Sequence, residues 1–229
     1  MAESTRKTEL VMKNPGAKQS RWMDKIQESI DNGTLFARKL NKGANPKWRP
    51  STTISRRKIG LDFGGVIVNG EATMEKSDTM FGENYLESPE VPGTSSAIRL
   101  IVDVYGAPNV YIVSKARQEM RRKTSEWLDH TRFCERTGLW RCNVLFCRER
   151  GDKGPIAEKL GLSAFVDDKE PCLTCMPDSV SLRLLFGDEK GRTAVVPVEE
   201  TKSHEDAGEI IGVADWDAVL LSLELVAGV

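Results

Sequence analysis

An apolar run that ends in one carboxylate and two glycines limits what this chain can fold into more than any other feature. Within residues 58–68 (KIGLDFGGVIV), the run reaches Asp62 and then breaks at Gly64 and Gly65. This pattern predicts a short buried strand that ends at a turn and leaves the carboxylate at the strand tip. Ligands of open α/β sheets bind in the crevice beyond such tips. Asp62 is therefore the first candidate functional residue.

Three later apolar runs also end in polar side chains. The candidate residues that follow them are Ser114 after residues 109–113, Lys153 after residues 143–147, and Asp167 and Asp168 after residues 164–166. Because the carboxyl ends of parallel strands meet at one edge of a sheet, we expect these side chains to converge with Asp62. Asp and Ser also cap turns and helices, so each position alone has an ordinary structural interpretation.

Strand patterns alternate with helical patterns from residue 58 onward. Helices are predicted at residues 94–105, 115–133, 155–160 and 215–225, and two more strands at residues 181–186 and 194–198. Thr94 is the predicted N-cap of the first helix, and Gly106 ends it. The alternation predicts an α/β domain over residues 58–229, built as a Rossmann-like, three-layer, mostly parallel sheet.

Charge divides the chain into two parts. Residues 1–58 contain 14 Lys and Arg against 5 Asp and Glu, a net charge of +9, whereas residues 59–229 contain 19 and 29, a net charge of −10. Residues 1–57 are interpreted as a basic N-terminal extension, partly disordered or packed on the domain, with a helix predicted at residues 21–40 and a linker at 41–57. The extension either leans on its own acidic domain or binds nucleic acid through basic and aromatic side chains.

Composition bears on the class of protein. The chain has 39% hydrophobic residues, and none of its apolar runs approaches the roughly 20 residues that a membrane helix needs. We therefore expect no membrane partner. The N-terminal residues lack the apolar core of a signal peptide, and the odd number of cysteines, five, favours a reducing compartment. The expected location is the cytoplasm, with the nucleus as the alternative.

The cysteines and histidines are assigned no chemistry. Cys172 and Cys175 have the spacing of a zinc half-site, which Cys142 and Cys147 could complete. Two of these thiols flank a predicted buried strand, so ordinary buried cysteines are the favoured interpretation. The two histidines of the chain are also given no catalytic role: His130 and His204.

Together the candidate residues form a set suited to phosphate chemistry. Asp62 is a candidate nucleophile that would form an acyl phosphate. Because two anions repel, this attack needs cations nearby, and Mg²⁺ held by Asp62 and Asp167 would provide the largest share. Lys153 would add a second positive charge, and Ser114 a hydrogen bond to a phosphoryl oxygen. The expected ligand is a small phosphorylated molecule or a nucleotide.

The order of these residues resembles the haloacid dehalogenase (HAD-like) superfamily over about residues 58–226. Asp62-Phe63-Gly64-Gly65 resembles the first family motif, Asp-x-Asp-Gly, and the later motifs correspond in order to Ser114, Lys153 and the pair Asp167 and Asp168. The resemblance implies a Rossmann-like sheet, Mg²⁺ and an aspartyl-phosphate mechanism. About 50 residues separate the first two motifs, which leaves no room for a full cap domain and indicates a small-cap or capless branch.

The resemblance also implies a role for each matching residue. Asp62 would be the nucleophile and a metal ligand, and Ser114 and Lys153 would bind phosphate. Asp167 would be a metal ligand supported by Asp168. The residue two positions after the nucleophile lends its backbone carbonyl to the metal in the family, so Gly64 would keep that role.

Gly64 departs from the family pattern in a way that matters for chemistry. Family phosphatases have an Asp there that acts as general acid and base, which is worth typically 10²–10⁴-fold in rate. Candidate replacements lie in the segment after the first motif: Asp78, Glu83, Glu87 and Glu90. The sequence therefore supports two hypotheses. One is a weak or specialised Mg²⁺-dependent phosphohydrolase or phosphotransferase; the other is an inactive HAD-like domain that binds a phosphorylated ligand, nucleic acid or a protein partner.

Overall fold

The computed structural model describes residues 57–69, 79–187 and 209–225. The sequence predictions for residues 1–56, and those for the strand at 194–198, Asp78 and His204, lie outside the described residues. Among the helices of the described part, none has both the length and the apolar character needed to cross a membrane.

Six parallel strands form one sheet. They are β1 (Ile59–Leu61), β2 (Val110–Lys115), β3 (Val144–Cys147), β4 (Ala164–Asp167), β5 (Leu182–Phe186) and β6 (Ile210–Val213), in the spatial order β3-β2-β1-β4-β5-β6. Every neighbouring pair is parallel. The order reverses direction at β1, so the crevice where ligands of such sheets bind lies beside the strand that leads to Asp62. The predicted α/β class is confirmed.

Helices connect the strands. They are α1 (Thr94–Tyr105), α2 (Gln118–His130), α3 (Phe133–Thr137), α4 (Lys153–Leu160), α5 (Glu170–Thr174) and α6 (Trp216–Ser222). Single 3₁₀ turns occupy Tyr85–Glu87, Ala107–Asn109, Arg141–Asn143 and Arg150–Asp152.

The core has two halves, one on each face of the sheet. Successive strand residues point to opposite faces, so in β2 Ile112 packs into one buried cluster and Val113 into the other. The first cluster holds apolar residues of α1, α2, α3 and α6, and the second those of α4 and α5. Helices thus cover both faces, which confirms the three-layer arrangement.

Several predicted boundaries move by a few residues. Gly93 is the N-cap of α1, and Thr94 is its first residue, whose hydroxyl donates to the carbonyl of Val91 at 2.7 Å. Gly106 ends this helix at a positive φ of 81°, as predicted. The helix predicted at residues 115–133 is shorter, because Arg132 adopts a left-handed φ of 51° and separates α2 from α3.

Two further differences concern elements in the second half of the chain, α4 and β6. The helix predicted from residue 155 begins at Lys153, because Glu149 and Asp152 accept each other's backbone N–H groups in a capping box just before it. Strand β6 was not predicted from the sequence. It is only four residues long, includes Gly212 and shows no clear alternation of apolar and polar residues.

The segment after β1 is held against α2 rather than standing as a separate layer. The indole N–H of Trp127 donates to the carbonyl of Ser88 at 2.8 Å, and the Lys123 ammonium donates to the carbonyl of Gly82 at 3.0 Å. Trp127 is fully buried, and its ring meets that of Phe63 edge-on at 5.4 Å between centroids. The residue next to Asp62 is therefore braced by the same tryptophan that secures the segment.

Replacing Trp127 should separate packing from hydrogen bonding at this junction. We expect Trp127→Ala to lower the free energy of unfolding by about 3–5 kcal/mol, because it leaves a large cavity. Trp127→Phe keeps a ring but leaves the Ser88 carbonyl unpaired, and should cost about 1–3 kcal/mol. Urea unfolding followed by circular dichroism measures both. Equal losses for the two variants would contradict this account.

Candidate functional site

The candidate residues lie at the carboxyl edge of the three central strands. Asp62 directly follows β1, and its backbone N–H donates to the carbonyl of Val166 in β4 at 2.9 Å. Asp167 is the last residue of β4, and Leu61 is paired with Val166 in the strand register. This pairing brings the carboxylates of Asp62 and Asp167 to neighbouring positions at one edge.

The ammonium group of Lys153 joins these two carboxylates. Its Nζ lies 2.9 Å from Oδ1 of Asp62 and 2.6 Å from Oδ2 of Asp167, and its side chain is only 1% exposed. Burial alone would lower the pKa of Lys153, but the charges of Asp62 and Asp167 outweigh that effect and raise it. Lys153 is therefore a permanent buried cation.

The pKa of Asp62 is raised above the ordinary value of an aspartate. Burial is the largest cause that raises its pKa, and the negative charge of Asp167 adds to it. The Lys153 ammonium partly offsets both, and the resulting pKa is about 6. A carboxylate in this state is ionised at neutral pH yet poorly solvated, which suits a nucleophile or a metal ligand.

The Asp168 carboxylate is positioned by a glycine and a second lysine. Gly65 has a positive φ of 80°, and a Cβ at this residue would overlap the Asp168 carboxylate. Oδ2 of Asp168 lies 2.7 Å from Nζ of Lys169, and the backbone N–H of Lys169 donates to Oδ1 of Asp167 at 2.9 Å. Lys169 is not among the residues predicted from the sequence, although its place directly after an acidic pair was an available signal.

Three carboxylates in this group can hold a metal ion. One oxygen from each of Asp62, Asp167 and Asp168 lies within 4.8 Å of the others, and no second such group of potential ligands occurs in the described ranges. The donors are all oxygen, which fits a hard divalent cation such as Mg²⁺. Two lysines face three carboxylates, so one negative charge stays uncompensated and favours a further cation.

Ser114 and Gly64 lie at the same edge. Ser114 is buried one residue before the end of β2, paired with Phe146 of β3, and its carbonyl accepts from the Cys147 thiol at 3.6 Å. Gly64 is exposed and pairs with Val68 in an isolated bridge. A Cβ placed on Gly64 would meet no atom within 4 Å. The position of the missing acid is therefore open space.

The candidate replacement acids stand elsewhere. Glu90 binds the guanidinium of Arg136 and accepts from the Ser95 hydroxyl at 2.5 Å. Glu83 and Glu87 are exposed on the segment that packs against α2. Among the described interactions, none of these three glutamates contacts Asp62, Asp167 or Asp168.

The cysteines do not assemble a zinc site in the described ranges. Burial raises the pKa of Cys147 and of Cys172 to about 12, because an apolar environment disfavours the thiolate. Cys175, exposed on the same short helix segment, donates to the carbonyl of Cys172 at 3.0 Å.

No protein-family model matches the chain, and no curated protein is significantly similar to it. The residues at the sheet edge are therefore the basis for a functional proposal.

The two neighbouring glycines give a matched test of the site loop. Gly65→Ala introduces a strained φ and an overlap with Asp168, and should lower the free energy of unfolding by about 1–3 kcal/mol. Gly64→Ala meets open space and should change it by less than about 1 kcal/mol. Urea unfolding of both variants is the measurement. A larger loss for the Gly64 variant would show that the loop is arranged differently.

The raised pKa of Asp62 predicts how stability depends on pH without added metal. The folded value is about 6 and the unfolded value 3.8, so between these pH values the folded state binds more protons. The free energy of unfolding therefore falls as pH rises, by about 3 kcal/mol for two pKa units. Asp62→Asn lacks this dependence.

Urea unfolding of wild type and Asp62→Asn from pH 4 to 7 isolates the effect, because other titrating groups largely cancel in the difference. We expect the wild type to lose about 3 kcal/mol relative to the variant over this range. Adding Mg²⁺ at pH 7 should recover part of the loss through binding to the ionised form. If the difference in free energy of unfolding between wild type and Asp62→Asn stays constant with pH, the raised pKa of Asp62 is contradicted.

Proposed function

We propose that this chain is a HAD-like, Mg²⁺-dependent phosphohydrolase or phosphotransferase that works through an aspartyl phosphate on Asp62. The observation that carries the proposal is the buried Lys153 ammonium between the carboxylates of Asp62 and Asp167 at the switch point of the sheet. A salt bridge that served only stability would not need to lie at a ligand-binding edge.

Asp62 would attack the phosphorus of a bound phosphate group with one carboxylate oxygen. The Lys153 ammonium, 2.9 Å from Oδ1 of Asp62, orients that carboxylate and supplies positive charge next to the incoming phosphate. The Ser114 hydroxyl would donate to a phosphoryl oxygen. Water would then hydrolyse the acyl phosphate, or another acceptor would take the phosphoryl group.

Mg²⁺ would be held by Asp62 and Asp167, with Asp168 supporting and the Gly64 carbonyl as a further ligand. When bound, Mg²⁺ neutralises charge on the phosphate and helps to orient it. The chain provides the oxygen donors, and Lys153 and Lys169 limit the negative charge that these donors accumulate.

One observation favours a second candidate, a domain that binds a phosphorylated ligand or a partner without turnover. Gly64 cannot donate a proton, and the described acids of the neighbouring segment do not contact the site. The retained Asp62, Lys153 and Asp167 favour the enzyme, since simple phosphate binding gains little from a buried carboxylate facing the anion.

Hydrolysis of p-nitrophenyl phosphate tests the proposal, because its leaving group needs little protonation. We expect turnover that requires Mg²⁺ and falls at least about 1,000-fold in Asp62→Asn, which has nearly the same shape but a far weaker nucleophile. Asp103→Asn, a change on the exposed face of α1, should leave turnover within two-fold.

Trapping distinguishes a slow enzyme from a binding domain. Acid quenching after incubation with a ³²P-labelled phosphate donor should leave label on the wild-type chain and none on Asp62→Asn. Turnover that survives in Asp62→Asn would remove the nucleophile assignment, and absence of both label and turnover would favour the binding domain.

A further inference from the structure

The loop between β3 and α4 presents two arginines at the same edge as the candidate site. Its two acids are already engaged: the Glu149 N–H donates to Oδ2 of Asp152 at 2.9 Å, and the Glu149 side chain accepts the Asp152 N–H in return. Arg148 and Arg150 are both exposed. Within the described ranges no carboxylate lies at ion-pair distance from either guanidinium, and Glu149, the acid between them in sequence, faces Arg117 at 3.7 Å.

The loop between β3 and α4 lies next to the three carboxylates of the candidate site. Arg150 lies three residues before Lys153, and its carbonyl accepts from the Cys175 thiol at 3.8 Å. The positive charge of Arg150 also acts on Lys169, whose Nζ lies 2.7 Å from Oδ2 of Asp168. Positive charge therefore extends from Lys169 to the exposed side chain of Arg150.

The leaving group decides whether a missing general acid matters. An alcohol leaves as an alkoxide about as basic as hydroxide, the conjugate base of water, whose pKa is 15.7, so it needs a proton. A phosphate monoester has a second pKa of about 6 and leaves without one. Such a leaving group carries extra negative charge, and guanidinium groups bind it with two parallel hydrogen bonds.

We propose that the substrate of this site is a phosphoanhydride, whose leaving group is itself a phosphate bound by Arg148 and Arg150. The inference rests on the proposed function and adds the substrate class. It joins two independent observations: the open space at Gly64, where no acid stands, and two arginines freed by the capping box that engages the acids of their own loop.

The chemical step balances without a proton donor. An Asp62 carboxylate oxygen forms a bond to the terminal phosphorus, and the bond from that phosphorus to the bridging oxygen breaks. The electron pair stays on the bridging oxygen, which departs as part of the leaving phosphate. Water then attacks the aspartyl phosphate, Asp62 is regenerated as a carboxylate, and the proton from water passes to solvent or to the released inorganic phosphate.

Adenosine diphosphate and adenosine monophosphate are matched probes, because they share a nucleoside and differ in the group that leaves. With Mg²⁺ we expect kcat/KM for loss of the terminal phosphate of the diphosphate to exceed that for the monophosphate at least about 100-fold, the lower end of what a general acid contributes. Gly64→Asp should narrow this ratio at least ten-fold by supplying an acid in the open space.

Arginine variants test the second half of the proposal. Arg148→Ala and Arg150→Ala should each lower kcat/KM for the diphosphate about ten-fold, the loss of one charge-assisted hydrogen bond, and leave p-nitrophenyl phosphate within two-fold. Lys159→Ala removes an exposed cation near the end of α4, at the opposite edge, and should change neither. Calorimetric binding of the diphosphate to Asp62→Asn should weaken by the same ten-fold when either arginine is also replaced.

The outcomes separate this inference from the proposed function. Turnover of p-nitrophenyl phosphate that depends on Asp62, with the monophosphate cleaved as well as the diphosphate, overturns the phosphoanhydride assignment alone. The phosphoanhydride assignment is also overturned if Gly64→Asp does not alter the preference for the diphosphate over the monophosphate, or if that preference survives in both arginine variants. Absence of Asp62-dependent turnover with all three compounds overturns both proposals.

Discussion

The arrangement of this fold depends on one buried ammonium group between two carboxylates. Lys153 begins α4, Asp62 follows β1 and Asp167 ends β4, so a single set of contacts joins three elements. Each of these ions loses several kcal/mol of hydration on burial, and only the presence of the others offsets that loss. The edge of the sheet must therefore form as a unit, which holds the side chains of Asp62, Lys153 and Asp167 in one fixed arrangement.

The neighbouring glycines of the site loop are present for opposite reasons. Gly65 is required by the backbone, because its φ is left-handed and the Asp168 carboxylate occupies the space where a side chain would begin. Gly64 is under neither constraint, and a side chain there would project into open space. The absence of a side chain at Gly64 is thus not a packing necessity, and under the proposed mechanism it would favour leaving groups that depart without a proton.

Much of this architecture could be predicted from local sequence patterns. The runs before Ser114 and Asp167 are apolar, short and bounded by turn residues, which suffices to identify β2 and β4 and to place their ends at one edge. The interactions that depend on distant partners could not be predicted. The left-handed residue Arg132 that divides a continuous helical pattern, and the hydrogen bond from Trp127 to Ser88, arise from tertiary packing, which leaves little trace in the period of the sequence.

The indole N–H of Trp216 in α6 donates to the carbonyl of Val66 at 3.2 Å, and this hydrogen bond joins residues 150 positions apart. Val66 belongs to the loop that follows Asp62, so the conformation of that loop is completed by one of the last described elements of the chain. During synthesis the first strand emerges long before this tryptophan does, whereas a domain generally folds as a unit. A ribosome-bound chain that stops short of α6 would therefore carry every candidate catalytic residue without yet having this bond to secure the loop beside them.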